Sequence, residues 1–419
     1  MGARSYTVHN SELFLVQPQA SGSRSGIMKI IDVQVFKLSG MMNKAWEHRA
    51  RSAAPLDIYP EYALRDPSPS LDSTTEPIPL VRYYVSIVTD EGLDGLYGPM
   101  VYEEQADIII KKLRPLLLDQ NPLDIERLWD QMRFDRHGRS GYYMMAASAI
   151  DCALWDLRGK FYNTPVYRLL GGPTRSQIPV YASTLGYPID AGKAGEQAKA
   201  FVDAGFKAQK WFFRHGPSAG GEGRASNLRM AQEVREAIGS EADFMLDCWM
   251  GWDVPYAIDM MDRLRELRPL WLEEPLLPNQ IDGYRLLKER GSLLLAAGEH
   301  LYTRKDFKPF FDEGLLAYAQ PDPDWTGGIT ELRKIAILAE TFDVKFIPHG
   351  CTVLPNLHVI ASLAPSVCPY LEYLVLYQQQ QNHFHLNKLI PVNGFLALPE
   401  QAGLGIELDE STIEAKVRL

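Results

Sequence analysis

Short apolar segments alternate with helical segments through the second half of this 419-residue chain, from about residue 175 onward. Each apolar segment has the length of a buried strand, and the stretches between them have helical periodicity. Eight such units in about 200 residues predict a closed parallel (β/α)8 barrel rather than an open doubly wound sheet. The predicted strands cover residues 178–182, 208–212, 243–247, 269–273, 293–297, 316–321, 345–348 and 370–373. Helical patterns cover residues 227–238, 255–266, 281–289 and 329–341.

The part of the chain before the barrel has strand patterns first and helical patterns afterwards. Residues 28–38 alternate apolar and polar side chains, and residues 81–89 form a second apolar segment that a turn follows. This order predicts a separate α+β module in front of the barrel. Helical periodicity extends over residues 105–118, 122–132 and 144–161.

The composition excludes several classes of protein. The chain has 53 acidic and 43 basic residues and a net charge of −10, which disfavours non-specific binding to nucleic acid or to anionic membranes. No apolar run approaches the roughly 20 residues of a membrane span, and no GxGxxG fingerprint or Walker A loop occurs. The four cysteines lack CxxC or zinc-ligand spacing, so we expect reduced thiols in a cytoplasmic protein. The longest apolar run near the N-terminus, residues 13–16, is shorter than the core of a signal peptide, so no signal peptide is expected.

A polar residue of a kind used in catalysis ends each of five successive predicted strands. Consecutive members of this set are 23 to 27 residues apart, close to the roughly 25–30 residues of one βα unit. They are therefore expected at the same end of the barrel, the C-terminal mouth, where barrels keep their active sites. The five residues are Asp247, Glu273, Glu299, Asp322 and His349.

These five residues predict a metal site and a general base. Three carboxylates on adjacent strands repel one another unless a cation lies among them, and oxygen ligands without cysteine favour Mg²⁺ or Mn²⁺ over zinc. Asp322 next to His349 would orient the imidazole and raise its basicity. A single Asp at a strand end is more often a helix N-cap or turn residue, but chance accounts poorly for an evenly stepped set of five. Glu274 is expected to pair or orient rather than to bind metal.

Several segments at these strand ends resemble a known family. WLEEP, GEH, QPD…TGG and PHG, together with the five stepped residues, are similar to the strand-end motifs of the enolase superfamily, mandelate racemase subgroup. Residues 149–172 resemble the helix and linker that lead into its barrel, and the resemblance covers about 28–419. It implies an α/β fold, a TIM-like (β/α)8 barrel with an N-terminal α+β capping domain. It also implies Mg²⁺ on Asp247, Glu273 and Glu299, and a base that removes the proton next to a carboxylate.

One departure from the family pattern bears on the reaction. Family members carry a Lys-x-Lys pair on the second barrel strand, where the two positions here are Lys210 and Phe212. Phe212 cannot take a proton, whereas racemisation needs acid/base groups on both faces of the intermediate. With His349 as the base left, the expected reaction is dehydration of an acid sugar to a 2-keto-3-deoxy acid. Lys210 is then expected to neutralise the substrate carboxylate; the alternative is a surface or salt-bridged lysine.

Within the subgroup, the segments MLDCWM, GEH and PVNG and a long loop at 213–223 resemble the L-rhamnonate dehydratase family. This resemblance implies a hydro-lyase of EC 4.2.1 type with His300 near the substrate, although a supporting role for His300 is an equal alternative. Glu372 and Arg65 are further candidate substrate contacts. Two rival functions stay open, an epimerase with an unrecognised second base and a catalytically silent barrel that serves as a scaffold.

The cap is expected to determine which sugar binds. The candidate segments are the irregular, proline-containing stretch 39–79 and residues 136–143, from which Arg65, His48 or Arg51 could hold sugar hydroxyls. The alternative for 39–79 is a solvated loop that packs on a neighbouring subunit.

The expected domains are a flexible extension (1–27), a capping domain with specificity loops (28–155), a catalytic barrel (156–385) and a C-terminal segment on the cap (386–419). We expect a homo-oligomer that acts on a small acid sugar and has no nucleic-acid or membrane partner.

Overall fold

The computed structural model describes residues 28–43, 50–63, 77–134 and 140–419. Four of the sequence-based expectations therefore lie wholly or partly outside the described residues: the extension at 1–27, His48, Arg65 and the first half (136–139) of the segment 136–143.

An antiparallel sheet forms the centre of the cap. Its strands are β1 Ile30–Met42, β2 Ile78–Thr89 and β3 Asp94–Met100, with β13 Ala415–Arg418 from the end of the chain. The order in the sheet is β13-β1-β2-β3. The C-terminal segment thus returns to the cap, where Val417 lies opposite Lys37 in the ladder.

The cap sheet packs against α2 Glu103–Ile108, α3 Arg114–Leu117 and α5 Gly141–Phe161, with a π-helical turn Ile109–Leu113 between α2 and α3. Helix α4 Ile125–Arg133 packs on α5, and the short helix α1 Pro60–Ala63 packs on the turn at Pro55–Ile58. The 21-residue, alanine-rich α5 is buried along most of its length. Its buried Asp156 accepts backbone hydrogen bonds from Leu96 in β3 (2.8 Å) and from Leu404 (2.7 Å). Because Asp156 bonds to both segments, α5 joins the cap to the C-terminal segment.

Eight parallel strands form the predicted barrel sheet. They are β4 Gln177–Ser183, β5 Ala208–Phe212, β6 Asp243–Asp247, β7 Trp271–Glu273, β8 Leu295–Ala297, β9 Tyr318–Ala319, β10 Lys345–Phe346 and β11 Leu371–Leu374. Each strand pairs with the next from β4 to β10, and β11 pairs with β4, so the first and eighth strands are neighbours. A backbone hydrogen bond from Phe346 to Val367 (3.0 Å) links β10 to the residues before β11. The predicted fold class is confirmed.

Helices alternate with these strands. They are α6 Val166–Leu169, α7 Lys193–Asp203, α8 Gly220–Ile238, α9 Val254–Leu264, α10 Ile281–Arg290, α11 Arg304–Asp312, α12 Gly328–Thr341, α13 Val353–Ala361 and α14 Val375–Gln381. Single 3-10 turns lie at Pro55–Ile58, Pro217–Ala219, Arg265–Leu267 and Glu410–Thr412. A short strand, β12 Phe395–Ala397, pairs antiparallel to β4.

Apolar side chains fill the lower part of the barrel interior. One buried side chain from each of seven parallel strands or their ends forms this cluster: Tyr181, Ala208, Met245, Trp271, Ala296, Tyr318 and Ile347. A packed floor of this kind is typical of (β/α)8 barrels. Polar side chains of the same strands therefore lie above it, at the mouth.

Two local predictions were wrong. Residues 39–42 were expected to be irregular but continue β1, because their pairing with β2 extends to Met42 and Ile78. The long loop expected at 213–223 is shorter, since α8 begins at Gly220.

In the described part of the chain, none of the helices has both the length and the apolar composition of a membrane span. All four cysteines are free, and three of them are buried.

Candidate active site

Five neighbouring strands bring the stepped residues to one edge of the sheet. Asp247 is the last residue of β6 and lies opposite Glu273, the last residue of β7. Glu299, Asp322 and His349 follow β8, β9 and β10 by two or three residues. Because all five strands run parallel, the five side chains meet at the carboxyl end of the sheet, as the spacing predicted.

Lys210 lies among the carboxylates of this edge. Its ammonium nitrogen is 2.7 Å from Glu372 Oε1 and 3.6 Å from Asp247 Oδ2, and it also forms an ion pair with Glu273. The side chain is 3% exposed. Burial lowers the pKa of Lys210, but the carboxylates outweigh burial and hold that pKa well above its usual value. Lys210 is therefore a buried, salt-bridged lysine, as one of the alternatives expected, and not a surface lysine.

The carboxylates carry more negative charge than Lys210 can neutralise. Burial is the largest cause that raises the pKa of Asp247 to about 6 and of Glu273 to about 8, and repulsion between neighbouring carboxylates adds to it. Glu273 Oε2 accepts hydrogen bonds from Trp271 Nε1 (2.9 Å) and Gln320 Nε2 (2.7 Å). Crowded, buried oxygen donors of this kind fit a hard divalent cation.

Trp249 connects two of these carboxylates. Its backbone N–H donates to Asp247 Oδ1 (2.8 Å), and its indole N–H donates to Glu299 Oε1 (3.1 Å). The backbone is left-handed at Trp249 (φ 42°) and at Met250 (φ 60°). Residues other than glycine rarely adopt this backbone conformation, and backbone strain of this kind is concentrated at functional sites.

Glu274 and His300 form a second cluster of charged side chains beside the carboxylates of Asp247, Glu273 and Glu299. Glu274 Oε2 is 2.7 Å from His300 Nδ1, and its Oε1 accepts the backbone N–H of Gly298 (3.2 Å). A Cβ at Gly298, where φ is +135°, would meet the Phe307 ring at 2.5 Å, so this close turn requires glycine. Burial lowers the pKa of His300, but Glu274 and Glu299 outweigh it and raise that pKa to about 9.

Glu274, Glu299 and His300 have donor atoms within 4.8 Å of one another and form an alternative cation site. A protonated His300 already neutralises Glu274, however, and His300 would have to lose its proton to bind a metal. Among the described residues, Asp247, Glu273 and Glu299 do not have all their donor atoms that close together, so cation binding by this set stays a prediction. In its favour, Lys210 compensates only part of the charge of these carboxylates.

His349 and Asp322 form the predicted dyad geometry. His349 Nδ1 is 2.6 Å from Asp322 Oδ2, and its Nε2 is 3.0 Å from Glu299 Oε2. Burial lowers the pKa of His349, but Glu299, Glu372 and Asp322 outweigh burial and hold that pKa well above its usual value. The nitrogen that is not bonded to Asp322 therefore faces the carboxylate cluster.

Glu372 is a buried partner of Lys210. Its Oε2 accepts the backbone N–H of Gly350 (3.0 Å). Burial would raise the pKa of Glu372, but Lys210 and His349 outweigh it and lower that pKa to about 2. The two expected substrate contacts Lys210 and Glu372 thus bind each other, and any contact with substrate stays a prediction.

The described part of the cap also reaches this edge. Ala50 and Ala53 donate backbone hydrogen bonds to Gly186 (2.8 Å) and Phe213 (2.7 Å), just beyond β4 and β5. Arg51 forms an ion pair with Asp57. Arg51 therefore lies near the mouth of the barrel, whereas Arg65 lies outside the described residues.

Phe212 occupies the position on β5 where the Lys-x-Lys pattern has its second lysine. It ends β5 opposite Asp247 and is 2% exposed. Alternation along the strand puts it on the same face of the sheet as Lys210. Trp249 and Gln320 also belong to the site, which the spacing of the strand ends does not indicate, although both lie within the motifs MLDCWM and QPD.

Comparison with known families agrees with this geometry. The family model described as "Enolase C-terminal domain-like" matches residues 193–412. The model "Mandelate racemase / muconate lactonizing enzyme, N-terminal domain" matches residues 72–171. The chain belongs to the mandelate racemase subgroup of the enolase superfamily. The family resemblance seen in its strand-end motifs is thereby confirmed.

Named proteins and solved structures are similar to this chain over most of its length. L-rhamnonate dehydratase of Saccharopolyspora erythraea is 34% identical over 368 residues, which cover 85% of this chain and 89% of that protein. The structure of rhamnonate dehydratase from Gibberella zeae complexed with Mg has a TM-score of 0.79 and 26% identity, covering 92% of this chain and 96% of the other. A racemase from Streptomyces coelicolor with bound magnesium has a TM-score of 0.73 and 26% identity, covering 91% and 98%.

Proposed function

We propose that this chain is a Mg²⁺-dependent acid-sugar dehydratase, with L-rhamnonate as the first candidate substrate. The observation that carries the proposal is the His349–Asp322 pair on one side of the mouth, with Phe212 where a second lysine would supply the other base. The names of the relatives support the same reaction class. His349 can move protons on one face of the intermediate only, and this favours elimination over racemisation, which needs a group on each face.

Asp247, Glu273 and Glu299 are the residues that would hold Mg²⁺. When bound, Mg²⁺ supplies positive charge next to the substrate carboxylate, where negative charge develops as the α-proton leaves. Lys210 adds a fixed positive charge from below the same edge. The neutral imidazole that a base requires would be favoured at His349 once the charge of Asp247, Glu273 and Glu299 is balanced.

His349 performs both proton transfers in the proposed reaction. Its Nε2 takes the proton from C2, the C–H electron pair forms the C1=C2 double bond of an enediolate, and the C1=O π pair moves onto the carboxylate oxygen. The imidazolium then gives that proton to the C3 hydroxyl, the C3–O bond breaks, and water leaves. The resulting enol becomes a 2-keto-3-deoxy acid. Asp322 holds the imidazole through Nδ1 so that Nε2 stays available.

A library assay tests the proposed function. We expect keto-acid product from at least one C5–C6 acid sugar, L-rhamnonate first, in the presence of Mg²⁺, and none after chelation by EDTA. Product formation is followed by derivatising the keto group. No product from any library member would overturn the proposal. Exchange of the C2 proton with solvent deuterium, without loss of water, would favour the epimerase alternative instead.

Trp249→Phe tests the hydrogen bonds around the proposed metal site. This change removes the indole N–H that orients Glu299 but keeps an aromatic ring. We expect Mg²⁺ affinity, measured by calorimetry on metal-free protein, to fall about ten-fold. Trp252→Phe is the matched control, because that indole donates to the His215 carbonyl (3.1 Å) rather than to a carboxylate. Equal affinities in Trp249→Phe and wild type would show that this bond does not support the metal.

We further propose a cytoplasmic location and a homo-oligomeric assembly. The free cysteines in the structure support a reducing compartment. Sedimentation of the purified protein measures the assembly directly.

A further inference from the structure

Asp324 joins three parts of the molecule that lie far apart in the sequence. One carboxylate oxygen accepts a hydrogen bond from the Tyr97 hydroxyl, and the other accepts one from the Thr352 hydroxyl. Its backbone N–H donates to Asp322 Oδ1 (2.8 Å). Tyr97 belongs to cap strand β3, and Thr352 follows His349 by three residues. One side chain therefore connects the cap with the loops that carry both members of the dyad.

The hydrogen bonds at this junction lie beside a small cavity. A cavity of about 30 Å³ adjoins Asp324 and is lined also by Tyr102, Trp325, Cys351 and Tyr377. Space of this size is about that of one water molecule. The packing beside Asp324 is therefore incomplete, and the hydrogen bonds of its carboxylate contribute to holding the loop after Asp322.

The two hydroxyl groups are suited to donate. Tyr97 is 1% exposed, and its pKa is held well above the usual value by burial and by Asp324. Burial and the charge of Asp322 raise the pKa of Asp324 to about 7, which the bonds from Thr352 and Tyr97 oppose. Both donors thus favour the charged, accepting form of Asp324.

We propose that Asp324 is a positioning residue that holds the Asp322–His349 pair in its reactive geometry and couples that geometry to the cap through Tyr97. This inference rests on the proposed function, since it assigns a role within that reaction. The physical reason is that the 2.6 Å bond between His349 and Asp322 depends on where both loops lie. A displacement of about 1 Å at a reacting group can cost roughly 100-fold in rate.

Kinetics of four variants test the proposal: Asp324→Ala, Asp324→Asn, Tyr97→Phe, and Asp324→Ala with Tyr97→Phe. We expect Asp324→Ala to lower kcat by about 10- to 100-fold, with KM and the Mg²⁺ concentration for half-activity within about two-fold of wild type. Asp324→Asn, which can still bond to both hydroxyls, restores most of the rate. The double variant is no slower than Asp324→Ala, because the two residues act through one contact. Asp107 forms an exposed ion pair with Lys111, and the control variant Asp107→Ala is expected to keep the kcat of wild type.

A spectroscopic measurement tests the same proposal without turnover. The proton between His349 and Asp322 is followed by NMR of histidine-labelled protein and assigned by its loss in His349→Asn. We expect its signal in wild type and in Asp324→Asn, and its loss by solvent exchange in Asp324→Ala. If Asp324→Ala does not fold, Tyr97→Phe should weaken the signal relative to wild type.

An unchanged signal in Asp324→Ala, or an unchanged signal in Tyr97→Phe where the first variant cannot be made, would overturn the proposal. So would a kcat for Asp324→Ala within two-fold of wild type, or equal losses of kcat and Mg²⁺ affinity. A wild-type protein that dehydrates no acid sugar would overturn the proposed function alone, since the NMR comparison still decides the role of Asp324.

Discussion

His349→Asn is expected to abolish dehydration, with kcat reduced at least about 1,000-fold. Asparagine keeps part of the shape of the imidazole but cannot accept the α-proton. His349 is the described imidazole whose Nδ1 bonds Asp322 and whose Nε2 faces the carboxylate cluster, so no other described histidine has the same arrangement. Mg²⁺ affinity should change little, because the proposed ligands keep their carboxylates. Turnover is measured with the best library substrate and affinity by calorimetry.

His383→Asn is the matched control for this prediction. His383 lies after α14, its ring contacts Phe384, and it lines a cavity with Lys388 and Thr412 that includes none of the five stepped residues. We expect this variant to keep wild-type turnover. Activity of His349→Asn within ten-fold of wild type would contradict the assignment of His349 as the base.

Glu273→Gln is expected to weaken Mg²⁺ binding at least about 100-fold and to remove activity with it. The amide keeps the shape of the side chain but loses the charge that a hard cation requires. Lys210 retains Glu372 and Asp247 as partners, so the variant should fold. Mg²⁺ should raise the melting temperature of wild type, because it binds the folded chain, and leave that of the variant unchanged.

Two further variants separate the alternative metal sites. Glu289→Gln changes an exposed carboxylate on α10 and should bind Mg²⁺ as wild type does. Glu274→Gln removes the charge of the carboxylate that pairs with His300 and that belongs to the alternative cation site. If Glu274→Gln loses Mg²⁺ while Glu273→Gln retains it, the metal lies on Glu274, Glu299 and His300, and our assignment is wrong.

The barrel and its polar edge could be predicted because the signal repeats. Each βα unit has nearly constant length, so residues as far apart as Asp247 and His349 fall at the same end of neighbouring strands. Strand ends such as Asp247 and Glu273 coincide with the predicted ends. A pattern of this kind needs no knowledge of side-chain contacts.

Other parts of the site could not be predicted, because they depend on local backbone conformation and on contacts between distant segments. The left-handed backbone at Trp249 aims its indole at Glu299, and no periodicity indicates such a turn. Tyr97 meets Asp324 across 227 residues. Strand β3 was missed because its glycines and proline are unusual in strands. The pairing of Lys210 with Glu372 likewise follows from the closure of the sheet between β4 and β11.

The most direct test of one-faced elimination is to follow the Mg²⁺-loaded wild type with L-rhamnonate in D₂O by NMR. The account predicts a 2-keto-3-deoxy acid that carries solvent deuterium at C3, with no C2-epimer of the substrate at any time. Accumulation of the C2-epimer, or of substrate deuterated at C2 without any keto acid, would contradict it.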